Sequence, residues 1–143
     1  MNMKLELVVL PVSQIDRAKE FYRSAGFCEE LDFASGDDFR VVCFSLPGSG
    51  ASIAFGKGIT SALPGSVQGL HIAVSDIEEA RAELLERGVD VGGTFHDVGG
   101  VFYRIPPWHD VPGQDPAGRT HASFARFSDP DGNGWVLEQA SDG

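Results

Sequence analysis

Basic residues and cysteines are scarce in this sequence, and long apolar runs are absent. Lys and Arg number 11 against 21 Asp and Glu, so the formal net charge is −10. Because nucleic acids and anionic membrane surfaces both attract clustered cations, we expect neither as a partner. No stretch reaches the roughly 20 apolar residues of a membrane-spanning helix, and residues 1–12 lack the apolar core of a signal peptide.

The two cysteines, Cys28 and Cys43, are too few for a disulfide framework. Unpaired thiols are typical of a reducing compartment, which predicts a cytoplasmic protein. Since a free cysteine most often serves as a small buried hydrophobe, we predict no nucleophilic role for either residue.

A short motif, V-S-x-I-x-x-A, occurs twice in the chain. It starts at Val12 and again at Val74, and Gly26 and Gly88 keep the same offset of 62 residues. A constant offset over several positions indicates an internal duplication. Since 143 residues suit one compact domain, we predict a single domain over residues 1–143 that contains two similar units. The units span about 3–57 and about 67–141.

Each unit is predicted to follow the order β-α-β-β-β. The first helix starts at Ser13 with Asp16 in the capping-box position, and the second starts at Ser75 with Glu78. Each helix ends at the glycine of the repeat. The predicted strands span residues 5–12, 27–33, 39–46, 51–55, 70–74, 89–95, 123–127 and 135–139. The predicted apolar helix faces comprise Ile15, Ala18, Phe21, Ala25, Ile77, Ala80, Leu84 and Leu85.

One segment of the second unit, about 99–119, has no counterpart in the first. A connection of roughly 20 residues is unusual in a compact domain, and such loops are usually functional. We predict a lid or pocket wall whose aromatic residues Tyr103 and Trp108 stack on a ligand. Phe55 and His121 are further predicted ligand contacts.

Asp129, Asp131 and Asn133 have the spacing of the first ligands of a calcium loop. The twelfth position of that loop needs a bidentate glutamate, but here it is Ala140. The intervening proline and glycine favour a tight connection between strands. We therefore predict a structural turn rather than a calcium site.

The stretches 8–22, 69–89 and 127–135 follow one another in an order that resembles the vicinal oxygen chelate superfamily. They read VVLPVSQIDRAKEFY, GLHIAVSDIEEARAELLERGV and FSDPDGNGW. This superfamily includes glyoxalase I, bleomycin-resistance proteins and extradiol dioxygenases. The resemblance implies an α+β fold in which two tandem β-α-β-β-β units form a cupped mixed sheet around a small-molecule site. It also implies a homodimer.

The resemblance further implies a divalent metal, held by His or Gln on the first strand and Glu on the last strand of each unit. Transferred to this sequence, these positions are Leu7, Ile53, Gly69 and Val136. None of these side chains is a metal ligand. We therefore predict that the usual metal site is missing.

His71 and Glu138 each lie two residues beyond one of these positions. Because side chains alternate faces along a strand, a shift of two residues keeps the face and moves the group by roughly 6.6 Å. The superfamily fold makes the two strands parallel neighbours, so we predict that His71 and Glu138 face each other inside the cup. Three interpretations stay open: a displaced transition-metal site that also uses His121, His96 or His109, a metal-free acid–base dyad, or a polar contact beside a ligand or within the core.

Two functions from different classes follow from these observations. The preferred one is a glyoxalase/bleomycin-resistance-like protein that binds a small organic molecule, because all four usual metal positions are apolar. The alternative is a lyase, isomerase or dioxygenase that uses a divalent transition metal at a displaced site around His71 and Glu138, or the pair itself.

Overall fold

The computed structural model describes residues 1–97 and 110–141. Within them the helices are α1 (Ile15–Ser24) and α2 (Ile77–Glu86). The strands are β1 (Leu7–Val9), β2 (Cys28–Ser35), β3 (Phe39–Ser45), β4 (Ser52–Lys57), β5 (Leu70–Val74), β6 (Phe95–Asp97), β7 (Asp110–Pro112), β8 (Phe124–Ser128) and β9 (Gly134–Gln139).

The strands form two mixed sheets. One has the order β1-β4-β3-β2, with β1 parallel to β4 and the other neighbours antiparallel. The other has the order β5-β9-β8-β6-β7, with β5 parallel to β9 and β6 antiparallel to both β7 and β8. The predicted α+β class with two tandem β-α-β-β-β units is confirmed. The second unit carries one additional short strand, β7, that the sequence did not predict.

The chain divides into two compact units by its internal contacts. The first unit comprises Met1–Gln68 and Ser128–Asn133, and the second comprises Gly69–Phe127 and Gly134–Gly143. The turn between β8 and β9 therefore belongs to the first unit, although both strands belong to the second. The interpretation of the chain as a single domain stays a prediction.

The start of α1 differs from the predicted capping box. Gln14 occupies the N-cap position and makes no side-chain hydrogen bond. Ser13 instead donates its hydroxyl to Oδ1 of Asp131 over 2.6 Å, and Asp16 pairs with Arg40 over 2.9 Å. The predicted Ser13–Asp16 box is wrong because both side chains have partners distant in sequence. The predicted helix end at Gly26 is confirmed by its left-handed φ of 97°.

The start of α2 is also shifted by one residue. Asp76 is the N-cap, and its carboxylate accepts the amide of Glu79 over 3.0 Å. The predicted box of Ser75 with Glu78 is therefore wrong, and an aspartate is as good an N-cap as a serine. The amide of Ile77 donates to the side chain of Gln139 over 2.9 Å, so β9 satisfies one of the free amides in the first turn.

Tyr22 is the centre of the first unit's core. Its ring lies 5.3 Å from Phe27, 6.4 Å from Phe44 and 5.7 Å from Phe55 between centroids. Of the predicted face of α1, Ala18 and Ala25 are buried, whereas Ile15 and Phe21 are half-buried. Tyr22 was not predicted on this face, although it follows Ala18 by four residues and so lies on the same side of the helix.

The hydroxyl of Tyr22 is paired with the turn between β8 and β9. It donates to Oδ2 of Asp129 over 2.8 Å, and Nδ2 of Asn133 donates to the same oxygen over 2.8 Å. Oδ1 of Asp129 accepts the amides of Asp131 and Asn133, each over 2.9 Å. The predicted structural turn is present, and its buried carboxylate is saturated by protein donors.

The second unit differs from prediction before β6. The predicted strand over residues 89–95 is wrong, because regular pairing starts only at Phe95. Val89 and Val91 are buried as predicted for a strand, but two glycines follow them and glycine disfavours a strand interior. On α2, Ile77 is buried and Leu84 half-buried, whereas Leu85 is exposed and was wrongly placed on the apolar face.

Strand β9 contributes three buried apolar residues to the second unit's core, Trp135, Val136 and Leu137. The Trp135 ring is buried and stacked on Phe127 with centroids 6.1 Å apart. Val136 is buried in a cluster with Phe95 and Phe124. Neither helix within residues 1–97 and 110–141 has the length and apolar character required to cross a membrane.

Tyr22→Phe is expected to lower the free energy of unfolding by about 1–3 kcal/mol, because the buried Asp129 carboxylate loses a donor while the ring packing is kept. Urea unfolding followed by circular dichroism gives this value. Ser13→Ala is the matched control, since it removes an exposed hydrogen bond to the same turn and is expected to cost less than about 1 kcal/mol. An equal or larger loss of unfolding free energy for Ser13→Ala would contradict the importance of the hydrogen bond from Tyr22 to Asp129.

Candidate functional site

The predicted contact between His71 and Glu138 is confirmed. Parallel pairing of β5 with β9 places His71 opposite Val136 and Ala73 opposite Glu138. Val136 and Glu138 lie two residues apart on one strand and therefore on one face. Nδ1 of His71 lies 2.8 Å from Oε1 of Glu138. The sequence thus predicted both the face and the proximity correctly, while the roles of the two residues stay a prediction.

A second histidine binds the same carboxylate from the loop before β8. Nδ1 of His121 lies 2.5 Å from Oε2 of Glu138. His121 has a φ of 59°, and it is the one non-glycine residue in the left-handed region among those described. Its amide donates to the carbonyl oxygen of Gln139 over 2.8 Å. The surrounding contacts must hold this unfavourable backbone, which is common where a side chain has to be aimed.

Burial and charge decide the protonation state of Glu138. Its side chain is 11% exposed, whereas that of His71 is 22% and that of His121 56% exposed. Burial has the largest single effect on the pKa of Glu138 and raises it, but the hydrogen bonds and charges of His121 and His71 together outweigh that effect. The pKa of Glu138 is therefore lower than its ordinary value, and the carboxyl is ionised at neutral pH.

An ionised carboxylate fixes the tautomer of each neutral imidazole. Because Glu138 can only accept hydrogen bonds, Nδ1 of His71 and Nδ1 of His121 must donate to it. A neutral ring that carries its hydrogen on Nδ1 has its lone pair on Nε2. Glu138 therefore leaves each neutral imidazole with a hydrogen-bond acceptor at Nε2.

Apolar and basic side chains border this polar cluster. The edge of the His71 ring faces Phe124 at 6.4 Å, and Phe124 lies 5.7 Å from Phe95. The guanidinium of Arg126 lies 4.1 Å above the Phe95 ring, and it also pairs with Asp110 over 2.7 Å. The site thus combines a hydrogen-bonding group with aromatic surface, as small-molecule sites generally do.

The loop that carries His121 is held by Asp115, which sequence reasoning missed. The amide of Asp115 donates to Oγ of Ser123 over 2.9 Å, and the amide of Gln139 donates to the carbonyl of Ser123 over 3.0 Å. Hydrogen bonds from Arg119, the nearest over 2.6 Å, hold the pKa of Asp115 well below its usual range. An Asp and an Arg four residues apart were the signal that could have found this anchor.

The metal implied by the resemblance does not fit the residues present. Leu7, Ile53, Gly69 and Val136 offer no donor side chain, and Val136 packs among aromatic rings. The displaced set of His71, His121 and Glu138 is joined by hydrogen bonds. The described residues contain no group of three His, Cys, Asp or Glu that could hold a metal ion.

Of the remaining predicted site residues, Phe55 and His96 have other contacts, and the others lie outside the described residues. Phe55 is fully buried and stacks on Phe44 at 6.0 Å, so this core position does not support its predicted ligand contact. Nδ1 of His96 lies 2.9 Å from the carbonyl oxygen of Gly113, away from Glu138. Tyr103 and Trp108, with His109, lie outside the described residues.

A groove of about 290 Å³ runs along the start of α2 and the end of β5. It is open to solvent, and its charged lining residues are acidic: Asp76, Glu79 and Glu83. Neither His71 nor Glu138 lines it, so the groove is separate from the histidine–glutamate cluster.

Comparisons with known proteins agree with this architecture. The family model described as the Glyoxalase/Bleomycin resistance protein/Dioxygenase superfamily matches residues 4–137. TnmS3, an antibiotic binding protein from Streptomyces sp. CB03234, is 31% identical, with a TM-score of 0.68 and coverage of 98% of both chains. No match was found among curated proteins.

Two further crystal structures are similar over nearly their full length. A glyoxalase/bleomycin resistance protein from Streptomyces sp. CB03234 is 30% identical, with a TM-score of 0.65 and coverage of 95% of this chain and 100% of that one. A superfamily member from Sphaerobacter thermophilus DSM 20745 is 27% identical, with a TM-score of 0.67 and coverage of 96% and 98%. With the matched family model, the tandem units and the sequence motifs in agreement, the chain belongs to the glyoxalase/bleomycin resistance protein/dioxygenase superfamily.

Proposed function

We propose that this protein binds a small organic molecule and does so without a metal at the usual positions of its superfamily. The observation that carries the proposal is the similarity to TnmS3, an antibiotic binding protein, at 31% identity over 98% of both chains. The apolar residues Leu7, Ile53, Gly69 and Val136 support it, because a binding protein needs no Lewis acid.

The polar contact of this site is the cluster of His71, Glu138 and His121. Its imidazoles offer hydrogen bonds to a ligand, and the buried ring of Phe124 packs against His71 and Phe95 beside them. We retain the prediction that Tyr103 and Trp108 of the 99–119 loop stack on the ligand. A few polar groups on an apolar wall orient a ligand while its burial provides most of the affinity.

A second candidate function is acid–base catalysis by the same cluster. The supporting observation is the 2.8 Å contact of His71 with Glu138, since a carboxylate that orients an imidazole prepares it to move protons. A lyase or isomerase that abstracts a proton beside a carbonyl would use this arrangement. The metal-dependent version has less support, because the described residues contain no group of three His, Cys, Asp or Glu that could hold a metal ion.

We also propose a homodimer that covers the open face of the first sheet. Val9, Ala54, Cys43 and Leu31 are aligned side by side across the four strands. Leu7, Val9, Leu31 and Phe33 are exposed. An isologous pairing would bury this apolar row on both protomers.

A cytoplasmic location and a single domain over residues 1–143 complete the proposal. The location rests on Cys28 and Cys43, which are free thiols as a reducing compartment maintains them. The single domain rests on the segment Ser128–Asn133, which is part of the first unit although its neighbouring strands are part of the second.

A panel of aromatic antibiotics is expected to contain a compound that raises the melting temperature of chelator-treated protein by several degrees. Binding to the folded state at 100 times Kd stabilises it by about 2.7 kcal/mol, which differential scanning fluorimetry detects. Adding a divalent metal should leave the shift unchanged. No shift with any compound, or a shift that disappears on chelation, would contradict metal-free binding.

Glu138→Gln is expected to be less stable than wild type at pH 7, with a difference that shrinks as the pH falls below the unfolded value of the Glu138 pKa. A lowered pKa in the folded state gives stability that is fully present above the unfolded value of about 4.3 and is lost as pH falls through the folded pKa. Urea unfolding at several pH values measures this difference. Glu86→Gln, at the exposed end of α2, is the control and should show no such trend.

Phe33→Asp is expected to shift the protein from dimer to monomer in sedimentation velocity experiments, because Phe33 is two residues from Leu31 on the same face of β2 and a charge is placed beside the apolar row. Leu85→Asp is the matched control, since Leu85 is an exposed apolar residue of α2 outside that row. A wild-type protein that sediments as a monomer at micromolar concentration would refute the homodimer.

A further inference from the structure

The two imidazoles at Glu138 are not equivalent. Nδ1 of His121 is closer to the carboxylate than Nδ1 of His71, 2.5 Å against 2.8 Å. The side chain of His121 is also more exposed, 56% against 22%. A left-handed backbone holds His121 in this position. The His121 side chain is therefore accessible to a ligand, and its hydrogen bond to the buried Glu138 carboxylate fixes the orientation of its ring.

Hydrogen bonding determines what His121 can recognise. Its Nδ1 hydrogen is used by Glu138, so the neutral ring has its lone pair on Nε2. A lone pair on an accessible nitrogen accepts a hydrogen and repels a carbonyl or ether oxygen. The complementary ligand group is therefore a hydroxyl or an N–H, and an acidic hydroxyl fits best because the Glu138 carboxylate stabilises a positive charge on the ring.

We propose that Nε2 of His121 accepts the proton of an acidic hydroxyl, so that the ligands of this site are phenols or enols. This inference rests on the proposed function and names the ligand class of the same site. The O–H bond of the ligand breaks and an N–H bond forms at Nε2 of His121. The ligand becomes a phenolate or enolate, the ring becomes an imidazolium, and no electrons are transferred to or from another molecule.

The charges after this proton transfer alternate favourably. The imidazolium of His121 lies between the Glu138 carboxylate and the ligand oxyanion, so each negative group contacts a positive one. His71 is a positioning residue in this scheme, because its hydrogen bond to Oε1 keeps the other oxygen, Oε2, directed at His121. An O-methylated ligand has no hydrogen to give and leaves Nε2 without a partner.

The test uses 4-nitrophenol and its methyl ether, 4-nitroanisole, as probes. Their rings are alike, but only the phenol can give up a proton, and its phenolate is distinguished by strong visible absorbance. At a pH below the probe's own ionisation, chelator-treated wild-type protein is expected to produce a saturable phenolate signal. The methyl ether is expected to bind at least about tenfold more weakly, which corresponds to one lost charge-assisted hydrogen bond.

Three variants separate His121 from the rest of the site. His121→Ala should abolish the phenolate signal and weaken 4-nitrophenol binding about tenfold. His121→Gln keeps an acceptor oxygen but cannot take a proton, so binding should be partly retained while the signal is lost. His96→Ala is the matched control, because Nδ1 of His96 contacts the Gly113 carbonyl and not Glu138, and it should behave like wild type.

Several results would overturn this inference. One is equal affinity of the protein for the phenol and its methyl ether. The others are a phenolate signal that survives in His121→Ala and the absence of any 4-nitrophenol binding. The proposed function would still stand in each case if an antibiotic of the panel raised the melting temperature. If no compound of the panel bound to the protein, the proposed function itself would be refuted.

Discussion

A buried carboxylate on the last strand, that of Glu138, is the constraint on which the second unit depends. An ionised group with little exposure is costly unless hydrogen bonds compensate it. Two imidazoles provide that compensation, one through the parallel register of β5 with β9 and one through a left-handed residue of the preceding loop. Asp115 with Ser123 then holds the loop. The register of β5 with β9 and the left-handed backbone of His121 thus both place hydrogen-bond donors at the Glu138 carboxylate.

The structural features that follow from side-chain periodicity and from the internal repeat could be predicted from the sequence. The 62-residue offset gave both helix ends at glycine, and alternation along β9 placed Glu138 on the same face as Val136. The proximity of His71 followed because parallel strands keep a fixed register.

Contacts between residues distant in sequence could not be predicted in this way. Ser13 does not cap α1 because Asp131, more than a hundred residues later, takes its hydroxyl. Tyr22 is in the core because the carboxylate of Asp129 binds its hydroxyl. His121 reaches Glu138 through a left-handed φ that side-chain pattern does not reveal. In each case a polar partner outweighed the local preference that the sequence displays.

Glu138 holds two imidazoles by hydrogen bonds. Nitrogen-15 NMR of the histidine side chains, on protein purified without chelator at neutral pH, tests this arrangement most directly. We expect His71 and His121, when neutral, to carry their hydrogen on Nδ1, and we expect Glu138→Gln to perturb both rings. Nδ1 atoms without a hydrogen, or resonances shifted by metal coordination, would contradict it.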